Sequence, residues 1–509
     1  MNRRDFLKLT GGALAIGALQ GCSRLLPQNT APDLSRTGIS PSAADDITII
    51  PNVERPNMVF ILTDDLDAQL GTTDYMPRLQ TYLTDQGASL GQFFTPTPVC
   101  CPSRISFLTG QYAHNHQVYM NASPEGSFKK FNLLGSEAST IATWLNAAGY
   151  HTGFMGKYMN EYPFPDNKTY VPAGWDEWYS PAKGKPYTGF EYTLNENGAL
   201  VDYFDPSQYI GDVLSDKADD FIRRSAGGAE PFFLQVSTYA PHEPYTPAPR
   251  HADAFPDIQA PRTPSFNAED VSGKPSDIRY NPPLSEADIQ DIDSVHRLRV
   301  QSMQAVDEMI ERLMNTLDEL NLLDNTYIFF ISDNGFHLGQ HRMKPGKAHQ
   351  YEEDIRVPMI VRGPGIPAGM SVDNFLTANI DFPPTIAELA GVIPPEYVDG
   401  RSLVPLLKNT PPPAEEWRQA VQIEFFGHQL DESGEVSPWY IGLRTNDHLY
   451  VEHSEGMIEL YNLHADPNQL NNLAPEADPE RIKLFSQWLR AIYNSSGIEL
   501  REIEQNNPL

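Results

Sequence analysis

The sequence predicts an α/β fold: a large mixed, mostly parallel sheet flanked by helices, with a smaller C-terminal α+β unit. Three observations predict it. Short apolar runs that are continuous rather than alternating recur up to residue 332, as strands buried on both faces must read. Helical patterns lie between them, giving the strand–helix alternation that builds parallel sheets. Past a Pro-rich break, "NTPPPAEEW" (Asn409 to Trp417), the candidate strands follow one another closely and end in a helix.

Taken in order, the chain begins with "NRRDFLKLTGGALAIGALQGC". Arg3 and Arg4 precede an apolar stretch, Leu9 to Leu19, too short to span a bilayer. The segment resembles a bacterial twin-arginine export signal. "LQGC" resembles a lipoprotein cleavage box, which makes Cys22 a candidate lipid anchor; ordinary signal cleavage near the same point is the alternative. Residues 23–46, rich in Pro, Ser, Thr and Ala, read as a tether. The expected divisions are therefore 1–46 signal and tether, 47–409 main domain, and 410–509 C-terminal α+β subdomain. The protein is expected to be exported, to the periplasm or cell surface.

"NMVFILTDD" (Asn57 to Asp65) reads as the first buried strand, and "STIATWLNAAG" (Ser139 to Gly149) as a helix with a Ser/Thr start and a Gly stop. "YHTGFMGKY" (Tyr150 to Tyr158) and "PFFLQVSTY" (Pro231 to Tyr239) read as strands. Residues 246–297 are Pro-rich and polar, a long surface excursion of the kind that shapes a substrate mouth. "VDEMIERLMNTLDELNLL" reads as an amphipathic helix and "TYIFFISDNG" as a fourth strand. "QAVQIEFF" and "WYIGLRTNDHLYVEH" supply strands of the C-terminal unit.

The composition is globular, with 40% hydrophobic and 10% aromatic residues among 509. Asp and Glu number 67 against 37 Lys and Arg, a net charge of -30. That balance excludes nucleic acid as a partner, because a phosphate backbone needs a basic face. An anionic substrate would require a local island of positive charge. Three cysteines, two of them adjacent, build no disulfide framework.

The chemistry lies at the strand ends. Asp64-Asp65 close the first strand, Lys157 follows the "YHTGFMG" strand, His242 follows "FFLQVST", and Asp333-Asn334 close the fourth. In open parallel sheets ligands bind beyond the carboxyl ends of the strands. Asp64, Asp65, Asp333 and Asn334 offer hard oxygens, which suit Ca²⁺ or Mg²⁺ rather than zinc. "CCPSRISFLTG" reads as a short helix with Pro in its first turn and Gly110 as its stop. Cys100 then lies at the helix start, where amides favour anions, with Arg104 one turn on.

Cys100-Cys101-Pro102-Ser103-Arg104, continued by Leu108-Thr109-Gly110, matches the C-x-P-S-R…LTG signature. The chain resembles the type I sulfatases, members of the alkaline phosphatase-like superfamily. Further matches are "APHEP", "SDNGFHLGQH", "GK" at Gly346-Lys347, "YEEDIRVPMIVRGPG" and "ELYNLHADP". Within the family "VCCPSR", "HNH" (His114 to His116) and "GKYMNEY" resemble the N-acetylglucosamine-6-sulfatase and heparan endosulfatase branch.

The resemblance implies a sulfatase hydrolysing sulfate monoesters of carbohydrates, and aryl sulfates too. It implies that a maturation enzyme oxidises Cys100 to Cα-formylglycine, whose hydrate attacks sulfur and then collapses to release sulfate. It implies one divalent cation, Ca²⁺ with Mg²⁺ as the alternative, on Asp64, Asp65, Asp333, Asn334 and residue 100. Arg104 would steady the aldehyde hydrate, Lys157 and Lys347 would bind sulfate oxygens, and His242 would contact sulfate or protonate the leaving oxygen. Met159 stands where many relatives carry a second histidine. His114, His116 and His337 are the candidates to replace it, with His116 and His337 expected at the substrate. Two competing readings are a phosphatase or phosphonate monoester hydrolase of the same superfamily, and a non-catalytic lipoprotein that binds sulfated glycans.

Overall fold

The computed structural model describes residues 47–51, 53–430 and 436–509. Arg3, Arg4, Cys22 and the tether lie outside the described residues. The main sheet contains β1 Asn57–Thr63, β2 Ala88–Leu90, β3 His151–Gly156, β4 Glu177–Gly184, β5 Tyr192–Glu196, β6 Ala199–Tyr203, β7 Phe232–Ser237, β8 Thr326–Ser332, β9 Met359–Arg362 and β10 Met370–Val372. Their spatial order is β10-β2-β9-β8-β1-β7-β3-β4-β5-β6.

The four apolar runs are the adjacent strands β8, β1, β7 and β3, and these run parallel, joined by β4. Every residue of β1, β7 and β8 is buried, the physical reason their sequences show no alternation. Register then fixes the site. Thr63 pairs with Ser332, Leu62 with Ser237, and Gly156 with Ser237. Asp64 therefore comes level with Asp333, and Lys157 with Thr238 one residue short of them, along one edge of the sheet.

Side chains leave β1 alternately for two cores. Met58, Phe60 and Leu62 pack on one face with helices α1 Cys100–Thr109 and α2 Ile141–Ala147. Val59 and Ile61 pack on the other with α3 Ile210–Ser225 and α4 Glu286–Glu319. Helix α4 starts well before the expected amphipathic stretch, with Ser285 and Asp288 forming a capping box. The expected excursion over 246–297 accordingly ends at Ser285; the first turns of α4 are polar and largely exposed, so they carry little apolar periodicity.

The C-terminal residues form an antiparallel sheet of β11 Ala420–Leu430, β12 Val436–Thr445, β13 His448–His453 and β14 Ile458–Asn462, followed by α5 Pro479–Tyr493 and α6 Gly497–Gln505. The joint to the rest of the chain is a buried ion cluster. Arg418 donates Nη1 and Nη2 to Asp381 at 2.6 and 2.8 Å and Nε to Glu504 at 2.7 Å. The Tyr112 hydroxyl donates to the same Glu504 at 2.6 Å. Among the described residues no helix is long and apolar enough to cross a membrane.

Removing one member of a fully buried ion pair strands the other charge. Arg418→Ala is expected to cost about 3–5 kcal/mol of stability, read as a lower urea midpoint with an unchanged slope.

Candidate active site

The site stands at the carboxyl edge of β8, β1, β7 and β3. Asp65 takes a left-handed backbone, φ 71°, which Asp tolerates better than most residues. Two contacts hold it there. Its amide donates to Asp333 Oδ1 at 3.0 Å, and its carbonyl accepts from Arg299 Nη2 at 2.7 Å. Arg299, fully buried on α4, also meets Asp67 at 2.9 Å and the Pro241 carbonyl at 3.4 Å. One guanidinium thus braces the loops carrying Asp65 and His242. Gly156 is required for the turn into Lys157: its φ is 100°, and a Cβ there would sit 1.9 Å from the Ser237 carbonyl oxygen.

Helix α1 opens at Cys100 and stops at Gly110, φ 73°, as the sequence predicts. Cys100 is 1% exposed. Its sulfur lies 3.5 Å from Asp64 Oδ1, 3.9 Å from Asp65 Oδ1 and 2.7 Å from Lys347 Nζ. Lys347 Nζ also donates to Asp65. Lys157 Nζ meets Asp64 Oδ2 at 2.5 Å. Arg104 Nε donates to Asp333 Oδ2 at 2.8 Å and Nη1 to the Lys157 carbonyl at 2.7 Å, while its Nη2 lies 3.8 Å from Asp64. Asn334 Nδ2 donates to Asp65 Oδ1 at 2.8 Å. His242 Nε2 stands 3.7 Å from Asp65 Oδ2, and its Nδ1 lies 2.7 Å from the Glu243 carbonyl.

Three carboxylates (Asp64, Asp65, Asp333) thus face three cationic side chains (Arg104, Lys157, Lys347) in a buried cluster. Burial alone would raise the Asp64 and Asp65 carboxyls, but Lys157 beside the first and Lys347 beside the second hold both below the usual range. Asp333 is pushed up by burial and by the Asp64 charge, against the pull of Arg104. Burial, against the pull of the two lysines, pushes the Cys100 thiol up to about 12. Asp64, Asp65, Cys100 and His242 each offer a ligand atom within 4.8 Å of the others. Asn334 Oδ1, buried beside them, accepts no hydrogen bond. Oxygen donors gathered around an unpartnered amide oxygen fit a hard divalent cation.

Two expected residues are elsewhere. His116 lies beneath α1, its Nε2 3.4 Å from Ser106 Oγ and its Nδ1 accepting the Val118 amide at 3.1 Å. Burial pushes its pKa down to about 3, and both ring nitrogens are engaged away from the cluster. The structure places this imidazole between Ser106 of α1 and the Val118 amide, apart from the Cys100 cluster. His114 pairs with Glu424 at 2.9 Å and stacks between Tyr112 and Tyr493. His337 does border the site: it lines a cavity with Lys347 and bonds Asp354 at 2.8 Å. Met159 is buried in the core beside α1.

Sequence reasoning missed Asp354, Arg299 and Tyr187. Asp354 sits within the acidic "YEED" run, which gave no sign of which carboxylate turns inward. Tyr187, its ring 4.7 Å from His242 and 5.2 Å from Lys157 Nζ, carries no motif.

The family model described as Sulfatase matches residues 56–392. The chain belongs to the sulfatase family. A second, described as N-sulphoglucosamine sulphohydrolase, C-terminal, matches residues 339–492. The sulfatase is 35% identical over 477 residues to an N-acetylglucosamine-6-sulfatase of Capra hircus, covering 87% of this chain and 84% of that one. It resembles a solved structure described as in complex with its substrate D-glucosamine-2-N,6-O-disulfate, at TM-score 0.69 and 25% identity, covering 86% of this chain and 97% of that one. A phosphonate monoester hydrolase of Agrobacterium radiobacter superposes at TM-score 0.65 with 22% identity, covering 86% and 96% of the two chains; that likeness shows the fold alone. The protein is a sulfuric ester hydrolase, and the phosphonate and non-catalytic readings give way to that.

A thiol with a pKa of about 12 is almost wholly protonated at pH 8. In protein that retains Cys100 as a thiol, iodoacetamide is expected to leave Cys100 and Cys101 unlabelled in the native state and to label both in urea, as peptide mass spectrometry would show. Fast native labelling of Cys100 would contradict the burial described.

Proposed function

We propose that this sulfatase removes O-sulfate from an amino-sugar glycan, with Cys100 converted to formylglycine beside a divalent cation on Asp64, Asp65, Asp333 and Asn334. The observation that carries the reading is the convergence of Asp64, Asp65 and Lys347 on the Cys100 sulfur, with Lys157 and Arg104 held on Asp64 and Asp333 beside it and Asn334 Oδ1 left unpartnered. Three carboxylates balance three cationic side chains, so a bound divalent cation would leave the cluster positive, which suits an anionic ester. This is the basic island that a chain of net charge -30 needs.

When present, the aldehyde hydrate supplies the attacking oxygen and the cation polarises the sulfate. The chain's own residues do the rest. Lys157 and Lys347 face the sulfate oxygens and stabilise the charge that gathers there. Arg104 is fixed through Nε on Asp333 and Nη1 on the Lys157 carbonyl, with Nη2 free of hydrogen bonds 3.8 Å from Asp64, and so is placed to steady the hydrate. His242 holds its ring through Nδ1 on the Glu243 carbonyl and presents Nε2 to protonate the departing oxygen. Of the three histidines that could stand in for the one absent at Met159, His337 is the one that borders the cavity beside Lys347.

The amino-sugar reading follows the N-acetylglucosamine-6-sulfatase of Capra hircus and the structure bound to D-glucosamine-2-N,6-O-disulfate. Export, by the twin-arginine route and with or without a lipid on Cys22, is proposed from the N-terminal sequence. A formylglycine-generating enzyme is proposed as the maturation partner.

Three measurements test these assignments. A peptide spanning residues 99–104 should show the mass change from CH₂SH to CHO at Cys100, and an intact thiol in fully active protein would overturn that assignment. Chelation should abolish turnover, with Ca²⁺ or Mg²⁺ restoring it, and Asp64→Asn should not be restored. His242→Asn should slow sugar sulfates by about 10²–10⁴-fold, but nitrophenyl sulfate far less, because nitrophenolate leaves without protonation.

A further inference from the structure

Cys100 is buried, so a sulfate ester reaches it only with the rest of the substrate projecting away. A cavity of about 510 Å³ opens from Lys347, within the about 300–1,000 Å³ usual for ligand sites. It is continuous with the cluster, because Lys347 and His337 line it while Lys347 Nζ touches Cys100.

Its lining has two characters. One wall is aromatic: Trp439 is 45% exposed, with Phe425 6.0 Å behind it and Tyr440 alongside. An indole left open to water inside a cavity is a large apolar surface without a partner. The same cavity is lined by imidazoles beside carboxylates. His337 is held by Asp354 at 2.8 Å and His453 by Glu459 at 2.7 Å, and His349 lies 3.7 Å from Asp277. An exposed indole and hydrogen-bonding imidazoles lining one cavity match a pyranose, with its flat C–H face and its rim of hydroxyls.

We propose that this cavity is a subsite for the sugar unit next to the one carrying the scissile sulfate, with its ring stacked on Trp439. The proposal rests on the glycan reading above. It makes the preferred substrate an oligosaccharide rather than an isolated sulfated sugar, and it assigns length selectivity to the C-terminal sheet.

The test compares wild type, Trp439→Ala and Trp439→Phe on nitrophenyl sulfate, on 6-O-sulfated N-acetylglucosamine, and on a disaccharide ending in that unit. Wild type should favour the disaccharide in kcat/KM. Trp439→Ala should lose about three- to tenfold on the disaccharide through KM, with nitrophenyl sulfate and the monosaccharide unchanged, and Trp439→Phe should retain most of the preference. A disaccharide-to-monosaccharide ratio unaltered by Trp439→Ala, or an equal loss on all three substrates, would overturn the subsite. A wild type that cleaves nitrophenyl sulfate but neither sugar sulfate would instead overturn the glycan reading beneath it.

Discussion

Like charges buried together set the terms for this molecule. Asp64, Asp65 and Asp333 crowd the end of a fully buried parallel sheet, where water cannot screen them. Ionised carboxylates persist in such a place only when cations are buried with them. The neighbouring segments meet that demand. Helix α1 brings Arg104, the end of β3 brings Lys157, the loop after β8 brings Lys347, and Arg299 reaches across from α4 to hold the Asp65 carbonyl. The arrangement ties together segments distant in sequence, so the chemistry of the site and the closure of the fold depend on the same contacts.

Much of this was legible beforehand, for physical reasons. A strand buried on both faces has to be apolar throughout, so the polar residue that ends it stands out, and parallel neighbours place such ends together. Asp64, Asp333 and Lys157 were therefore readable without any structure, and Gly110 marked the stop of α1. The edge strands β5 and β6 were not readable, because β6 is mostly exposed and its side chains obey no burial rule. Nor was the first half of α4, whose opening turns face solvent.

Histidines were the least readable residues. His337 carried the better promise, standing beside Asp333-Asn334 in sequence, whereas His116 read equally well as a structural residue; His116 is enclosed by Ser106 and Val118 while His337 borders an open cavity. An imidazole suits a core hydrogen bond as well as a ligand, and only its neighbours decide. Arg299 was hidden for a related reason: a guanidinium in a long helix reads as surface charge until the loops it braces are seen.

The Tyr112–Glu504 hydrogen bond joins positions 392 residues apart. Tyr112 lies just beyond the helix that starts at Cys100, and Glu504 sits on α6. During synthesis the Cys100 helix is made long before the group that closes this clamp. While translation proceeds, Glu504 cannot yet pair with Arg418 or Tyr112, and the joint stays incomplete. The joint therefore closes only once α6 has been made.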